Sequence, residues 1–133
     1  MTGSGIAHIP QATEDVAAHI VDAGLRVHEA LGPGLLESAY EHCLAHELTQ
    51  RGKAVQRQVP MPIFYNGTQL DAGYRIDLLV ENCVVVEIKA LDAILPIHHA
   101  QILTYLRLSG CRLGFLMNFN VPLYKSGLRR VVL

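Results

Sequence analysis

The chain reads as an α/β fold in which a mixed sheet is covered by helices. Three observations predict it. Two segments with helical apolar spacing fill the chain up to Gly52. The pattern then switches to short apolar runs and alternation, the mark of strands. One further helical segment, from about Ile97 to Ser109, separates the third strand from the fourth. The element order is therefore α-α-β-β-β-α-β, with a short last strand as an optional eighth element.

Each element has its own signal. Residues 1–12 contain Gly, Ser and Pro without periodicity and predict a loose arm, leaving 13–133 as one domain. Thr13 is the expected N-cap of the first helix, with Glu14 and Asp15 in its first turn. Val16, Ile20, Ala23, Leu25 and Val27 carry that helix to about Leu31, where Gly32-Pro33-Gly34 stops it. A second helix is expected from about Leu35 to Arg51, with Leu36, Tyr40, Cys43, Leu44, Glu47 and Leu48 along one side. Gln56 to Tyr65 reads as an edge strand because of Pro60 and Pro62. Asn66-Gly67 is a two-residue hairpin signal. Thr68 to Val80 reads as one long strand, bent or bulged near Gly73. Cys83 to Ala90 is a very apolar third strand, Cys111 to Phe119 a buried fourth, and Arg129 to Leu133 a short final one.

Composition narrows the function. A chain of 133 residues holds one ordinary core. Half its residues are hydrophobic and 17% are charged, so self-association into a homo-oligomer, or burial against a protein partner, is expected of the excess. Formal net charge is −1, from 11 Lys+Arg and 12 Asp+Glu, so bulk charge gives no case for nucleic acid. A phosphate backbone needs local cations or bound metal. The three cysteines are far apart, with no CxxC and no Cys/His pair at zinc spacing, which predicts free thiols in a reducing compartment. Met1 to Pro10 lacks a signal-peptide pattern, and no stretch is apolar enough for a membrane. The expected location is cytoplasmic.

The chemistry gathers on the third strand, Val84-Val85-Val86-Glu87-Ile88-Lys89. Side chains alternate on a strand, so Glu87 and Lys89 share a face. Asp77 lies on the preceding strand, in equally apolar company. Turn length decides whether the carboxylates meet. A three-residue loop at 81–83 sets Asp77 opposite Glu87, whereas a two-residue turn pairs Asp77 with Val86. Adjacent carboxylates repel unless a cation or a proton separates them. Mg²⁺ or Mn²⁺ suits such hard oxygen ligands, and the backbone carbonyl of Ile88 is a candidate addition. Lys89 can then orient or deprotonate a water, or neutralise charge developing on phosphate oxygens. Taken alone, the same residues also describe a cross-strand ion pair on a solvated face.

Other polar residues carry two readings each. Glu37 is a first-turn acid suited to the helix dipole. Tyr40 is ordinary core. Gln101 and Tyr105 are four apart and share a helix face with His98. His42 and His46 have ligand spacing, but the acid of a metalloprotease helix is missing between them, and structural or surface histidines are the expectation. Arg51, Lys53 and Arg57, and again Lys125, Arg129 and Arg130, form basic groups that either flank a site or are solvated loop charges.

The motifs together resemble the GxxExxY proteins. The resemblance runs through Gly34-x-x-Glu37-x-x-Tyr40, then Leu70-Asp71-x-Gly73-Tyr74-Arg75-x-Asp77-Leu78-Leu79-Val80 and Val86-Glu87-Ile88-Lys89-Ala90. It continues through Leu95-Pro96-Ile97-His98, Gln101-x-x-x-Tyr105 and Asn118-Phe119-Asn120-Val121-Pro122, covering about residue 16 to the end. That family looks like a compact branch of the PD-(D/E)XK nuclease superfamily. The resemblance implies a restriction-endonuclease-like αβββαβ core. It implies Asp77 and Glu87 as metal ligands, Lys89 as the catalytic lysine, Glu37 as an extra acid, and Gln101 and Tyr105 as supports of the site. The expected activity is Mg²⁺- or Mn²⁺-dependent phosphodiester hydrolysis on DNA, with RNA as the other substrate. The alternative is a non-catalytic nucleic-acid-binding or protein-interaction module that keeps the nuclease-like fold.

Overall fold

A computed structural model of the chain describes residues 8–133. The arm expected over 1–12 lies mostly outside the described residues, and the part within them is not loose. Ile9 is buried in the core, and the first helix, α1 (Gln11–Leu31), starts before Thr13. Pro10 occupies the cap position with φ −56° and ψ 148°, and its carbonyl accepts from the Glu14 N–H. The fixed ring sets the break, so Thr13 falls inside the first turn. Gly32, at φ +64°, ends the helix.

Helix α2 (Glu37–Gln50) begins two residues later than its pattern suggests, leaving Leu36 exposed at the cap. Its buried side is Tyr40, Glu41, Leu44, Ala45 and Leu48, while Cys43 stays exposed. The expected stripe was thus rotated: Glu41 and Ala45 replace Cys43 and Glu47. Tyr40 stacks on Phe119, centroids 4.6 Å apart, and its hydroxyl donates to the Gly32 carbonyl at 2.6 Å. The same hydroxyl accepts from the Leu35 N–H at 3.1 Å. Tyr40 therefore clamps the glycine loop that aims α2, and its side chain is fully buried in the core.

The strand region is more broken than its pattern. β1 (Val55–Pro60) and β2 (Ile63–Tyr65) are separate, because Pro60 and Pro62 lack ladder donors. β2 and β3 (Thr68–Leu70) form a two-stranded ribbon. Its Asn66-Gly67 turn has φ of +51° and +75°, as a tight hairpin requires. The break near Gly73 is complete, so β4 (Arg75–Val80) joins a different sheet. Asp71 accepts from the Gly73 N–H at 3.0 Å, and Gly73 sits at φ +83°. β5 (Val84–Lys89) follows a three-residue turn, α3 (Pro96–Ser109) crosses over, and β6 (Leu113–Asn118) runs parallel to β5. A 3₁₀ turn (Tyr124–Gly127), which had no sequence signal, leads into β7 (Leu128–Val132).

The main sheet is mixed, in the order β1-β4-β5-β6-β7. Helices α1 and α2 cover one face over Leu78, Val80, Val84, Val86 and Ile88. Helix α3 covers the other over Val85, Leu116 and Val131. A fully buried side chain such as Leu44 or Leu106 contributes roughly 1.5–3 kcal/mol, so both layers hold the sheet. Among the described residues, no helix is long and apolar enough to cross a membrane.

Candidate active site

The β4–β5 ladder is regular from Val80↔Val84 through Leu79↔Val85 to Leu78↔Val86. That register fixes the three-residue turn and carries Asp77 opposite Glu87. At this next pair, side chains replace the ladder. Glu87 Oε1 accepts from the Asp77 N–H at 3.1 Å, and Asp77 Oδ2 accepts from the Ile88 N–H at 2.8 Å. The strands fork here, and the two carboxylates fill the fork. Alternation also breaks across Asp77: Ile76 packs on the α3 side and Leu78 on the α1–α2 side.

A support that the sequence reading missed lies across β1. Gln58 has φ +51°, a left-handed conformation rare for a residue with a side chain. Its amide donates to Asp77 Oδ1 at 3.1 Å and to Glu41 Oε1 at 2.6 Å. The buried Glu41 is neutralised by Arg57, whose Nε and Nη2 donate to Oε2 at 3.2 and 2.8 Å. Strained backbone held by such a network is a common feature of functional sites. The available signal was that Glu41 lies one helical turn after Glu37, so both acids share a face of α2. Nothing in the local pattern of β1 marked Gln58.

Burial sets the electrostatics. Glu87 is 4% exposed, and desolvation followed by the neighbouring Asp77 charge raises its pKa from 4.5 to about 8. Asp77 is also raised, chiefly by burial, against the lowering effect of the Ile88 N–H and the Gln58 amide. Lys89 is half-buried, and its charge favours both carboxylates, yet it forms no salt bridge among the described residues. The picture of a cross-strand ion pair on a solvated face does not describe these residues.

The remaining candidates sit around the fork. Glu37 opens α2, and its Oε2 accepts from the Ala90 N–H at 3.4 Å, at the end of β5. Its charge also reaches Glu87. Tyr105 is 7% exposed, and burial, then the charges of Glu87 and Asp77, push its hydroxyl up to about 12. Gln101 lines a pocket of about 240 Å³ beside Tyr105. His98 is used elsewhere: its Nδ1 accepts from the Leu95 N–H at 2.9 Å and caps α3. Asn118, at the end of β6, bonds Leu91 through both side-chain atoms at 3.0 Å, and the Phe119 N–H donates to the Lys89 carbonyl at 3.0 Å. The Asn118-Phe119-Asn120 segment thereby fixes the chain that leaves Lys89.

The donor set suits a hard divalent cation. It consists of carboxylate oxygens whose mutual repulsion a cation relieves. Among the described residues, no three His, Cys, Asp or Glu side chains gather as a metal-holding group. The structure therefore brings Asp77 and Glu87 together but does not gather Glu37 with them as a third ligand. The exposed His42 and His46 are not part of such a group, and His28 is a buried residue bonded to the Val121 carbonyl at 2.7 Å. A cavity of about 1020 Å³ lies away from the fork, between α1 and the 3₁₀ turn. Its acids, Glu14 and Asp22, are each bound by an arginine.

A sequence model of the PD-(D/E)XK nuclease superfamily matches residues 14–131, and it spans every helix and strand described above but the first residues of α1 and the last of β7. No curated protein and no solved structure matches the chain.

Proposed function

The chain belongs to the PD-(D/E)XK nuclease superfamily, and from that membership we propose that it is a divalent-metal-dependent nuclease of the GxxExxY branch, acting on DNA. The observation that carries the reading is the fork. A buried carboxylate, Glu87, and a half-buried one, Asp77, exchange hydrogen bonds with the opposing strand, beside a lysine that no acid neutralises among the described residues. Such an arrangement is costly for stability and is characteristic of sites that hold charge for chemistry.

Asp77 and Glu87 would hold Mg²⁺ or Mn²⁺, with the Ile88 carbonyl as a further oxygen donor and Glu37 adding negative charge beside them. When bound, the cation supplies Lewis acidity toward the phosphodiester and a more acidic water. Lys89, on the Glu87 face of β5, would orient an attacking water and offset negative charge developing on the phosphate oxygens. Tyr105 and Gln101 form the wall against which Lys89 and the phosphate are positioned. Gln58, through Asp77, keeps the fork open.

The test is cleavage of labelled DNA and RNA, each single-stranded and duplex, in Mn²⁺, Mg²⁺ or EDTA. Wild type is expected to cleave only with metal. Lys89→Ala is expected to lower the rate by about 10²- to 10⁴-fold while circular dichroism is unchanged. Full activity in that variant sinks the assignment.

A further inference from the structure

Tyr105 and Gln101 also line a small pocket whose other walls, Tyr74 among them, have no role in the chemistry above. Tyr74 comes just before β4, three residues ahead of Asp77, and its ring is 44% exposed. It meets the ring of Tyr105 edge-on, with centroids 6.3 Å apart at 70°. The two rings, with Ile97, Ala100, Gln101 and Thr104, line the cavity of about 240 Å³. Tyr105 is the shared wall: it packs in one buried cluster with Ile76, next to Asp77, and with Val85, two residues before Glu87. The pocket therefore adjoins the stretch of β4 and β5 that carries the carboxylate pair. Aromatic walls with one side-chain amide suit a flat ring with polar edges.

The distribution of cations points the same way. Arg26, Arg51, Arg57, Arg75 and Arg130 are each bound to an Asp or Glu. Among the described residues this leaves Lys53, Lys89, Arg107, Arg112, Lys125 and Arg129 for an anion, and they are spread over separate segments. A duplex footprint calls for basic residues gathered in one patch or stripe, which these six do not form along the chain. Stacking is the other source of affinity, and only unpaired bases have free faces to offer.

We infer that the pocket between Tyr74 and Tyr105 holds an unpaired base beside the scissile phosphate, so that the substrate is single-stranded nucleic acid. The inference rests on the nuclease reading and names the substrate form for the same site. Tyr74 is the stacking residue and takes no part in hydrolysis.

The test is fluorescence anisotropy in EDTA, where metal-dependent cleavage is off. The probes are single-stranded DNA, single-stranded RNA and a DNA duplex of one sequence. Wild type is expected to bind a single strand more tightly than the duplex, and the DNA and RNA arms identify which sugar is preferred. Tyr74→Ala is expected to weaken single-strand binding by about tenfold, the scale of one lost stack, with little change for the duplex. Tyr74→Phe keeps a ring and is expected to bind as wild type. Preference for duplex, or a Tyr74→Ala effect that is absent or equal on all probes, overturns the inference. Because binding is read without metal, lack of cleavage in Mn²⁺ counts against the nuclease reading alone. Tyr74-independent binding by an enzyme that does cleave counts against the pocket alone.

Discussion

The Glu87 carboxyl holds a proton near neutral pH because burial and the Asp77 charge both oppose its ionisation. Its pKa in the folded chain lies above the unfolded value. The associated stability is therefore fully present below about pH 4.5 and is lost as pH rises through about 8. Asp77 is shifted in the same direction and adds to the effect. The melting temperature in EDTA should accordingly fall between about pH 5 and about pH 9. Glu87→Gln, which resembles the protonated form, should flatten that slope. An unchanged slope in the variant means that Glu87 does not carry the strain. Glu41 gives a second prediction at this scale. Glu41→Ala removes the acceptor of Arg57 and one of the two acceptors of the Gln58 amide, and should cost about 1–3 kcal/mol in chemical denaturation. A loss well below that range places the network outside the stability of the fold.

The turn at 81–83 decides whether the fork exists. Glu81 and Asn82 both have positive φ, 51° and 54°, and Glu81 Oε2 accepts from the Ala54 N–H at 2.6 Å. Deleting Asn82 makes a two-residue turn, and the register then pairs Asp77 with Val86. Manganese-induced protection from thermal unfolding should be lost in that variant, even where circular dichroism still reports a folded chain. Retained protection means that the metal is held elsewhere. The sequence left this register open: Glu81-Asn82 reads equally as a two-residue turn with Cys83 opening the strand, and the near-continuous apolar runs on both sides offer no alternation to choose between the two. The breaks at Pro62 and at residues 71–74 were only half legible. Pro and Gly announce an interruption, but whether the chain returns to the same sheet depends on partners distant in sequence. Helix starts were misjudged for a similar reason. Thr13 is a fine cap by type, yet Pro10 fixes the backbone first. The Glu41–Gln58–Asp77 chain was invisible because it joins α2, β1 and β4, and no local pattern relates them.

At the scale of the molecule, two helical layers hold a five-stranded sheet whose centre is almost wholly apolar. Both acids and Lys89 sit where β4 and β5 part, at the end of the sheet reached by Glu37, Tyr105 and the Asn118 latch. Apolar cover on both faces lets the fold bear the cost of an open, charged fork. Binding a cation should return part of that cost, and it should displace the proton from Glu87. The most direct measurement is calorimetric titration of Mn²⁺ near pH 7 in buffers of different ionisation enthalpy, with wild type and Asp77→Asn. The account predicts saturable binding by wild type with release of about one proton, and affinity lower by about tenfold or more in the variant. No binding by wild type, or equal binding by Asp77→Asn, contradicts it.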